Sequence, residues 1–267
     1  MRKPAVADSF YPGSPTELTS LLTALSGPRP ATEPEPARAV VVPHAGYVYS
    51  GALATKTYNA VKIPKLIVIL GPNHTGRGKR VALSTDSWQT AHGEIPVNSN
   101  FCTLLQKQTS LIQVDESAHK FEHSIEVQLP FLQFRRDNLS IVPIIISSIP
   151  YSRCQELALA IASAVKECGE EVLIVASSDM NHFESREISR PKDKLALEMI
   201  AKYRPADLYR TVIENNISMC GVIPVVIAML SAQITGSTST SLVGYTDSGN
   251  TSGDTSRVVG YAGIIIH

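Results

Sequence analysis

The chain has 267 residues, 43% of them hydrophobic, which is enough for one large domain with a sizeable core. The 24 lysines and arginines equal the 24 aspartates and glutamates, so net charge gives no support for binding nucleic acid or an anionic membrane. Four widely spaced cysteines without a CxxC pair, and no apolar stretch long enough to span a bilayer, lead us to expect a cytoplasmic protein.

Short apolar runs alternate with helix-like segments along the chain. The first helix is predicted in SPTELTSLLTAL, where Ser14 is the cap, Pro15 the first helical residue, and Glu17 lies three residues after the cap. A proline-rich connector over 27–37 leads into the first strand. Strands are predicted at 38–43, 65–72, 139–146, 171–178 and 257–267. Helices are predicted near 51–61, 97–108, 122–135, 152–167, 191–203, 205–215 and 218–233, and a strand pair within 84–97.

This alternation predicts the fold class. Strands that are apolar throughout, separated by helices, are typical of an α/β domain with both faces of the sheet covered. No internal repeat and no long linker divides the chain. We therefore predict a single domain over residues 1–267, with a central, mostly parallel sheet flanked by helices.

Titratable side chains follow three of the predicted strands where each strand ends. VVVPHAG contains His44, LIVILGPNHTG contains His74, and VLIVASSDMNH contains Asp179 and His182. Ligands of open α/β sheets bind outside the carboxyl ends of the strands. We expect His44, His74 and Asp179 to follow neighbouring strands at one edge and, with His182, to line one pocket.

Each of these residues also has a purely structural interpretation. A single histidine after a strand is more often a hydrogen-bonded loop residue than a ligand, and Asp179 can cap the turn after it. Repetition at equivalent strand ends favours a shared site, because loop histidines have no reason to prefer one edge. The remaining histidines, His92, His119 and His267, lie in loop-like segments or at the terminus and are assigned no chemical role.

Two further segments contain candidate site residues. In FEHSIEVQLPFL, His123 and Glu126 are three residues apart and would share one face of a helix, so that Glu126 could orient His123. Alternatively, acidic residues such as Glu122 simply lie near the positive end of a helix. In ISMCGVIPVV, Cys220 precedes a helix, which favours a reactive thiolate, but a small buried side chain is the commoner fate of a lone cysteine.

Five motifs together resemble the Memo-like family, whose prokaryotic branch is called AmmeMemoRadiSam system protein B. They are PHAGYVYSG, GPNH, EHSIEVQLPFL, SSDMNH and MCGVIPV, and the resemblance runs from ADSFYPG to VVGYAGIII. It implies a fold similar to that of the class III extradiol dioxygenases, which are non-haem iron enzymes.

The resemblance also implies a metal pocket. The resemblance implies that its ligands are His44, His74 and Cys220. Nearby catalytic residues that hydrogen-bond or transfer protons would be Asp179, His182 and His123. A thiolate in place of the carboxylate of a 2-His-1-carboxylate site makes the site softer, which favours copper, zinc or thiolate-ligated iron. Ring cleavage therefore does not follow from the fold.

Three functions are compatible with these residues. The leading hypothesis is a mononuclear iron or copper redox enzyme that acts with a radical-SAM protein and an AMMECR-like protein, the partners that the resemblance implies. The first alternative is a non-catalytic module that binds a peptide ligand. The second is a metallohydrolase that activates water.

Overall fold

The computed structural model of the protein describes residues 1–27 and 33–267. The strands are β1 (Ala39–Val42), β2 (Leu66–Pro72), β3 (Val81–Leu83), β4 (Trp88–Thr90), β5 (Gly93–Ile95), β6 (Gln113–Val114), β7 (Ser140–Ile146), β8 (Val172–Ser177), β9 (His182–Glu184), β10 (Thr240–Asp247) and β11 (Val258–Ile266). The helices are α1 (Pro15–Ser26), α2 (Tyr47–Asn59), α3 (Ser99–Gln108), α4 (Leu129–Gln133), α5 (Tyr151–Cys168), α6 (Arg186–Ala201), α7 (Pro205–Glu214), α8 (Val222–Ile234) and α9 (Gly249–Ser252). Two 3₁₀ turns span Glu116–Ala118 and Glu126–Gln128.

The central sheet has the strand order β10-β11-β1-β8-β2-β7-β3-β6. Its middle strands β1, β8, β2 and β7 run parallel, whereas β11 and β3 pair antiparallel at the two margins. β9 pairs with β11, and β4 and β5 form a separate hairpin. The predicted fold class is confirmed. Because β1, β8 and β2 are neighbours, the chain leaves all three at the same edge, as predicted.

Helices cover both faces of the sheet. Val41 and Val68 project towards one face, where they pack in a cluster with side chains of α3, α5, α7 and α8. Val40 and Ile67 project towards the other face and pack with side chains of α1 and α2. Burial on both faces explains why these strands are apolar at every position rather than at alternate ones.

Most of the predicted elements are present. The five predicted strands, the hairpin within 84–97 and the helix capped by Ser14 all form. Strands β3, β6, β9 and β10 were not predicted, because three of them are only two or three residues long and β10 is largely polar. The connector prediction over 27–37 falls partly on residues 28–32, which lie outside the described residues.

The helix predicted over 122–135 is wrong in its first half. Residues 122–125 form a loop, which is followed by the 3₁₀ turn and by α4. The Glu122 carboxylate accepts hydrogen bonds from the backbone N–H groups of His123 and Ser124, both at 2.9 Å. The Ser124 hydroxyl donates to the carbonyl of Pro72 at 3.0 Å. Such local side-chain bonds compete with the hydrogen bonds of a helix and replace them here.

Glu126 has a different role from the predicted one. Its buried carboxylate pairs with the Arg2 guanidinium and accepts hydrogen bonds from the backbone of Ala5 and Val6 and from the Tyr11 hydroxyl, at 2.8–3.0 Å. Every one of these donors lies in the N-terminal segment. The prediction that Glu126 orients the histidine three residues before it is therefore wrong, because the carboxylate anchors the N-terminal segment instead.

Replacing Glu126 with Ala should destabilise the fold strongly. The substitution leaves the Arg2 charge buried and unpaired, a change that typically costs about 3–5 kcal/mol of unfolding free energy. Urea denaturation followed by circular dichroism measures the loss. The control is Glu171→Ala, which removes an exposed ion pair with Lys62 and should leave the midpoint almost unchanged. Equal midpoints for the two variants would contradict the anchoring role of Glu126.

Candidate metal centre

Three histidines converge at the carboxyl ends of the parallel strands. His44 follows β1, His74 follows β2, and His123 lies in the loop before the second 3₁₀ turn. One ring nitrogen from each lies within 4.8 Å of the others, a spacing at which the three can share a metal ion. The ring centroids are 5.1 Å apart for His44 and His74 and 4.6 Å apart for His74 and His123.

The hydrogen bonds around His44 define which of its ring nitrogens carries the proton. Its Nδ1 lies 2.9 Å from the Ser177 hydroxyl oxygen. That hydroxyl donates its one proton to the carbonyl of Ser124 at 2.6 Å and accepts a hydrogen bond from the Gln128 amide at 2.8 Å. His44 Nδ1 must therefore be the donor, which leaves the lone pair of Nε2 free for a metal ion.

Glu122 has the same effect on His74. Its buried carboxylate accepts from His74 Nδ1 at 2.9 Å and from the His74 backbone N–H at 2.6 Å, in addition to the two backbone bonds described above. Burial alone would raise the pKa of Glu122, but these hydrogen bonds outweigh burial and lower the pKa to about 2. An ionised carboxylate can only accept, so Nδ1 of His74 carries the proton and Nε2 is free.

The protein surroundings keep two of these imidazoles neutral. Burial, together with the neighbouring rings of His74 and His123, lowers the pKa of His44 well below its usual value. Burial also lowers the pKa of His123, against the opposing charge of Glu122, whose carboxylate lies 3.4 Å from His123 Nδ1. Neutral imidazole is the form that binds metals, so both rings are ready to act as ligands near pH 7.

Cys220 lies beside this group. Its Sγ is 3.2 Å from His44 Nε2 and accepts a hydrogen bond from the backbone N–H of Asp179 at 3.3 Å. Nitrogen and sulfur ligands of one zinc ion, at about 2.1 and 2.3 Å from the metal, lie roughly 3.1–3.6 Å apart. Gly221 permits this approach, because a Cβ there would lie only 2.4 Å from Cβ of Ser178.

The surroundings of Cys220 favour the protonated thiol over the thiolate. Burial and the charge of Asp179 raise the pKa of Cys220 well above its usual range. A bound metal would deprotonate a coordinating thiol. Three histidines therefore offer nitrogen donors to one metal ion, whereas the Cys220 sulfur lies beside His44 but outside the group of ligand atoms within 4.8 Å of one another. Nitrogen donors with a sulfur nearby suit zinc, copper or iron.

Asp179 faces His44 rather than its own turn. Its Oδ1 accepts a hydrogen bond from the His44 backbone N–H at 2.8 Å, and Oδ2 lies 4.0 Å from His44 Nε2. Burial raises the pKa of Asp179 to about 7, against hydrogen bonds from the backbone of His44 and Ala45 that lower it. The carboxyl therefore lies at the pocket, next to the ligand nitrogen of His44.

His182 lies near the same histidines, close enough to interact electrostatically with His44 and His74. Its Nδ1 donates to the carbonyl of Ser218 at 2.8 Å, which leaves Nε2 without the proton. Its ring is outside the group of three mutually close histidines, and a positive charge on His182 would lower the pKa of His44. Burial lowers the pKa of His182 itself. The structure thus brings His44, His74 and His123 together and sets Asp179 and Cys220 beside His44, whereas His182 lies outside this group.

The sequence analysis did not identify the residues that hydrogen-bond to the histidine side chains. Glu122, Ser177 and Ser218 accept the Nδ1 protons of His74, His44 and His182. Glu122 stands next to His123 in the sequence, but its carboxylate bonds a histidine 48 residues away. The sequence carries no signal for such long-range partners. His92, His119 and His267, which were assigned no role, bond elsewhere.

Comparison with known proteins gives the family. The model of a family described as Memo-like protein matches residues 2–265. A MEMO1 family protein of Aquifex aeolicus is 40% identical over 267 residues, covering 99% of this chain and 98% of that protein. One from Archaeoglobus fulgidus is 40% identical over 265 residues, covering 99% of each. The chain belongs to the Memo-like protein family.

One solved structure shares the fold. The crystal structure of an uncharacterized protein from Escherichia coli K12 matches with a TM-score of 0.58 at 12% identity, over 85% of this chain and 98% of that chain. Identity this low shows the fold alone. Together with family membership it confirms the expected α/β fold, similar to that of class III extradiol dioxygenases. Within residues 1–27 and 33–267, no helix is long and apolar enough to cross a membrane.

Replacing Glu122 with Gln should weaken metal binding. An amide group there would point N–H groups at the donors of His74 or of the following loop, so His74 would lose its orientation. Losing such a supporting partner typically lowers metal affinity about 10–100-fold, which calorimetric titration measures.

Glu116→Gln provides the matched control for this variant. Glu116 likewise accepts hydrogen bonds from two backbone N–H groups, those of Thr85 and Asp86, and from the Ser84 hydroxyl, but it touches no histidine of the pocket. The metal affinity of the Glu116→Gln variant should equal that of the parent protein. If both variants bind metal like the parent, Glu122 does not support a metal ligand.

Asp179→Asn separates a site role from a structural one. Asparagine keeps the oxygen that accepts the His44 backbone bond but removes the negative charge. We expect nearly unchanged stability and a metal affinity lowered by about 10–100-fold. A calorimetric titration curve that overlays the parent curve would remove Asp179 from the site.

Proposed function

We propose that the protein is a mononuclear metalloprotein, and that it uses iron or copper in a redox reaction. One observation carries the proposal: hydrogen bonds fix the Nδ1 protons of His44 and His74, so both Nε2 lone pairs are free for a metal ion. Such supporting bonds are typical of histidines that bind metals.

His44, His74 and Cys220 would hold the metal, and His123 lies within reach as a further ligand. The sulfur donor favours a soft ion such as copper(I), or thiolate-ligated iron. When bound, either metal supplies one-electron chemistry that no protein side chain here provides alone. The three-histidine set, by contrast, suits zinc and copper alike.

The surrounding residues would bind and deprotonate a substrate. Asp179 places a carboxyl oxygen 4.0 Å from His44 Nε2, where it can accept a proton from a substrate group near that nitrogen. His182, with its Nδ1 proton donated to Ser218, presents an unprotonated Nε2 that can accept a hydrogen bond. We assign both residues to proton transfer, and His123 to the same task when it is not a ligand.

Hydrolysis is the second candidate. The same position of Asp179 beside a ligand nitrogen would suit a general base that activates water, with zinc as the Lewis acid. Oxygen-uptake assays after anaerobic iron or copper loading, run beside ester and amide hydrolysis assays of the zinc form, separate the two reactions.

Partners are proposed from the family resemblance. A radical-SAM protein and an AMMECR-like protein would share a modification pathway with this chain, consistent with the name AmmeMemoRadiSam system protein B. Co-purification of the three co-expressed proteins tests this proposal. The peptide ligand stays a prediction.

Cys220→Ser and His123→Ala should identify the third ligand. If sulfur is a ligand, Cys220→Ser lowers copper(I) affinity more than zinc affinity, because the thiolate supplies the softness of the site. His123→Ala should lower the two affinities to a similar degree. Competition titrations with chelators of known affinity measure both metals.

Elemental analysis provides the baseline for these titrations. The protein is purified without chelator and without affinity histidines, and the bound metal is identified before any loading. Equal copper(I) affinity in Cys220→Ser and the parent would exclude Cys220 as a ligand. Failure of the parent to bind iron, copper or zinc would overturn the proposed function.

A further inference from the structure

The segment that carries Cys220 has no regular structure and is held by side chains of a neighbouring loop. Residues 215–221, termed the thiol loop, connect α7 to α8. Asn216 in this loop adopts a left-handed backbone conformation, with φ of 49°. At the far end of the loop, the Gly221 backbone N–H donates to the Ser178 hydroxyl at 3.1 Å.

Asn181 forms the central contact with the thiol loop. This side chain is fully buried, and its Oδ1 accepts two hydrogen bonds from Ser218, one from the backbone at 2.9 Å and one from the hydroxyl at 3.0 Å. Its Nδ2 donates to the Glu184 carboxylate at 2.7 Å and to the Ser189 hydroxyl at 3.1 Å. The amide orientation is unambiguous, because a backbone N–H lies on one side and a carboxylate on the other.

The backbone of Asn181 is equally fixed. Its N–H donates to the buried Asp193 carboxylate at 2.8 Å, and its carbonyl accepts from the Gly260 N–H at 2.9 Å. The backbone N–H of Asn181 is therefore bound to α6, and its carbonyl is bound to β11. A buried amide with all four side-chain hydrogen bonds made holds its neighbours in one arrangement.

Ser218, which Asn181 holds in place, in turn fixes His182 through two hydrogen bonds. The Ser218 hydroxyl accepts from the His182 backbone N–H at 2.7 Å, and the Ser218 carbonyl accepts from His182 Nδ1 at 2.8 Å. Two residues further on, Cys220 lies 3.2 Å from His44 Nε2. Asn181 thus holds the middle of the loop, between the contacts of Lys192 with the Asn216 carbonyl and of Ser178 with Gly221. This loop selects the tautomer of His182 and presents the sulfur of Cys220.

We propose that Asn181 is a positioning residue of the metal centre, which places Cys220 and sets the tautomer of His182 through Ser218. The proposal rests on the proposed metal site only for its effect on metal affinity. The loop position and the tautomer are properties of the metal-free protein and can be measured there.

The decisive variant is Asn181→Ala, made in a Cys168→Ser background. The remaining cysteines, Cys102 and Cys154, are buried, so reaction with a thiol reagent reports on Cys220. We expect Cys220 to react at least about tenfold faster, because the loop opens more readily without its buried hydrogen bonds. Nitrogen-15 NMR of the metal-free protein should show that His182 no longer carries its proton mainly on Nδ1.

A charge-balanced pair distinguishes positioning from a general loss of stability. Asn181→Asp alone sets a carboxylate against Glu184 and should release the loop. Adding Glu184→Gln restores a donor opposite the new carboxylate, so the double variant should recover slow thiol reaction and the Nδ1 tautomer. Ser189→Ala, which removes a bond to Asn181 Nδ2 and none to its Oδ1, is the matched control and should behave like the parent.

Metal titrations of the same variants complete the test. Copper(I) affinity should fall by about 10–100-fold in Asn181→Ala, as for other residues that support ligands. Thiol reactivity and tautomer identical to those of Ser189→Ala would overturn the positioning role. A parent protein that binds no metal would overturn the proposed function, while the two metal-free measurements would still decide the role of Asn181.

Discussion

The buried carboxylate of Glu122 is the interaction on which the histidine pocket depends. Four donors surround it: the backbone and ring of His74, and the backbone N–H groups of His123 and Ser124. These bonds replace the water that burial removes, and with the neighbouring rings of His74 and His123 they keep the carboxylate ionised. The same four bonds join the end of β2 to the following loop and set the two histidines side by side.

The N-terminal segment stabilises the loop that carries His123. Arg2 pairs with Glu126 and donates to the carbonyl of Glu122 at 2.7 Å, while its guanidinium lies 4.3 Å from the centre of the Trp88 ring. A buried ion pair of this kind costs desolvation, and the Arg2 hydrogen bonds tie the N-terminal segment to the loop. Stability and site geometry are coupled here, because the residues that anchor the chain's beginning also hold the loop that carries His123.

The fold and the donor set point to different chemistry. Similarity to extradiol dioxygenases is a property of the α/β scaffold and brings histidines to one edge of the sheet. A facial triad has a carboxylate as its third ligand, and here the thiol of Cys220 lies 3.2 Å from His44 Nε2. Asp179 remains in the pocket, but it bonds the His44 backbone. In the proposed ligand set, the sulfur would favour softer metals than the Fe(II) of a site with two histidines and a carboxylate.

The sequence by itself determined the buried strands and the edge at which His44, His74 and Asp179 lie, because apolar runs must be covered on both faces and parallel strands end together. Tertiary structure decided the partners of these residues. It placed β8 between β1 and β2, directed Glu126 to Arg2, and joined His44 to Ser177, 133 residues away. A hydrogen bond is made with whichever group packing brings within about 3 Å, and local sequence does not encode that neighbour.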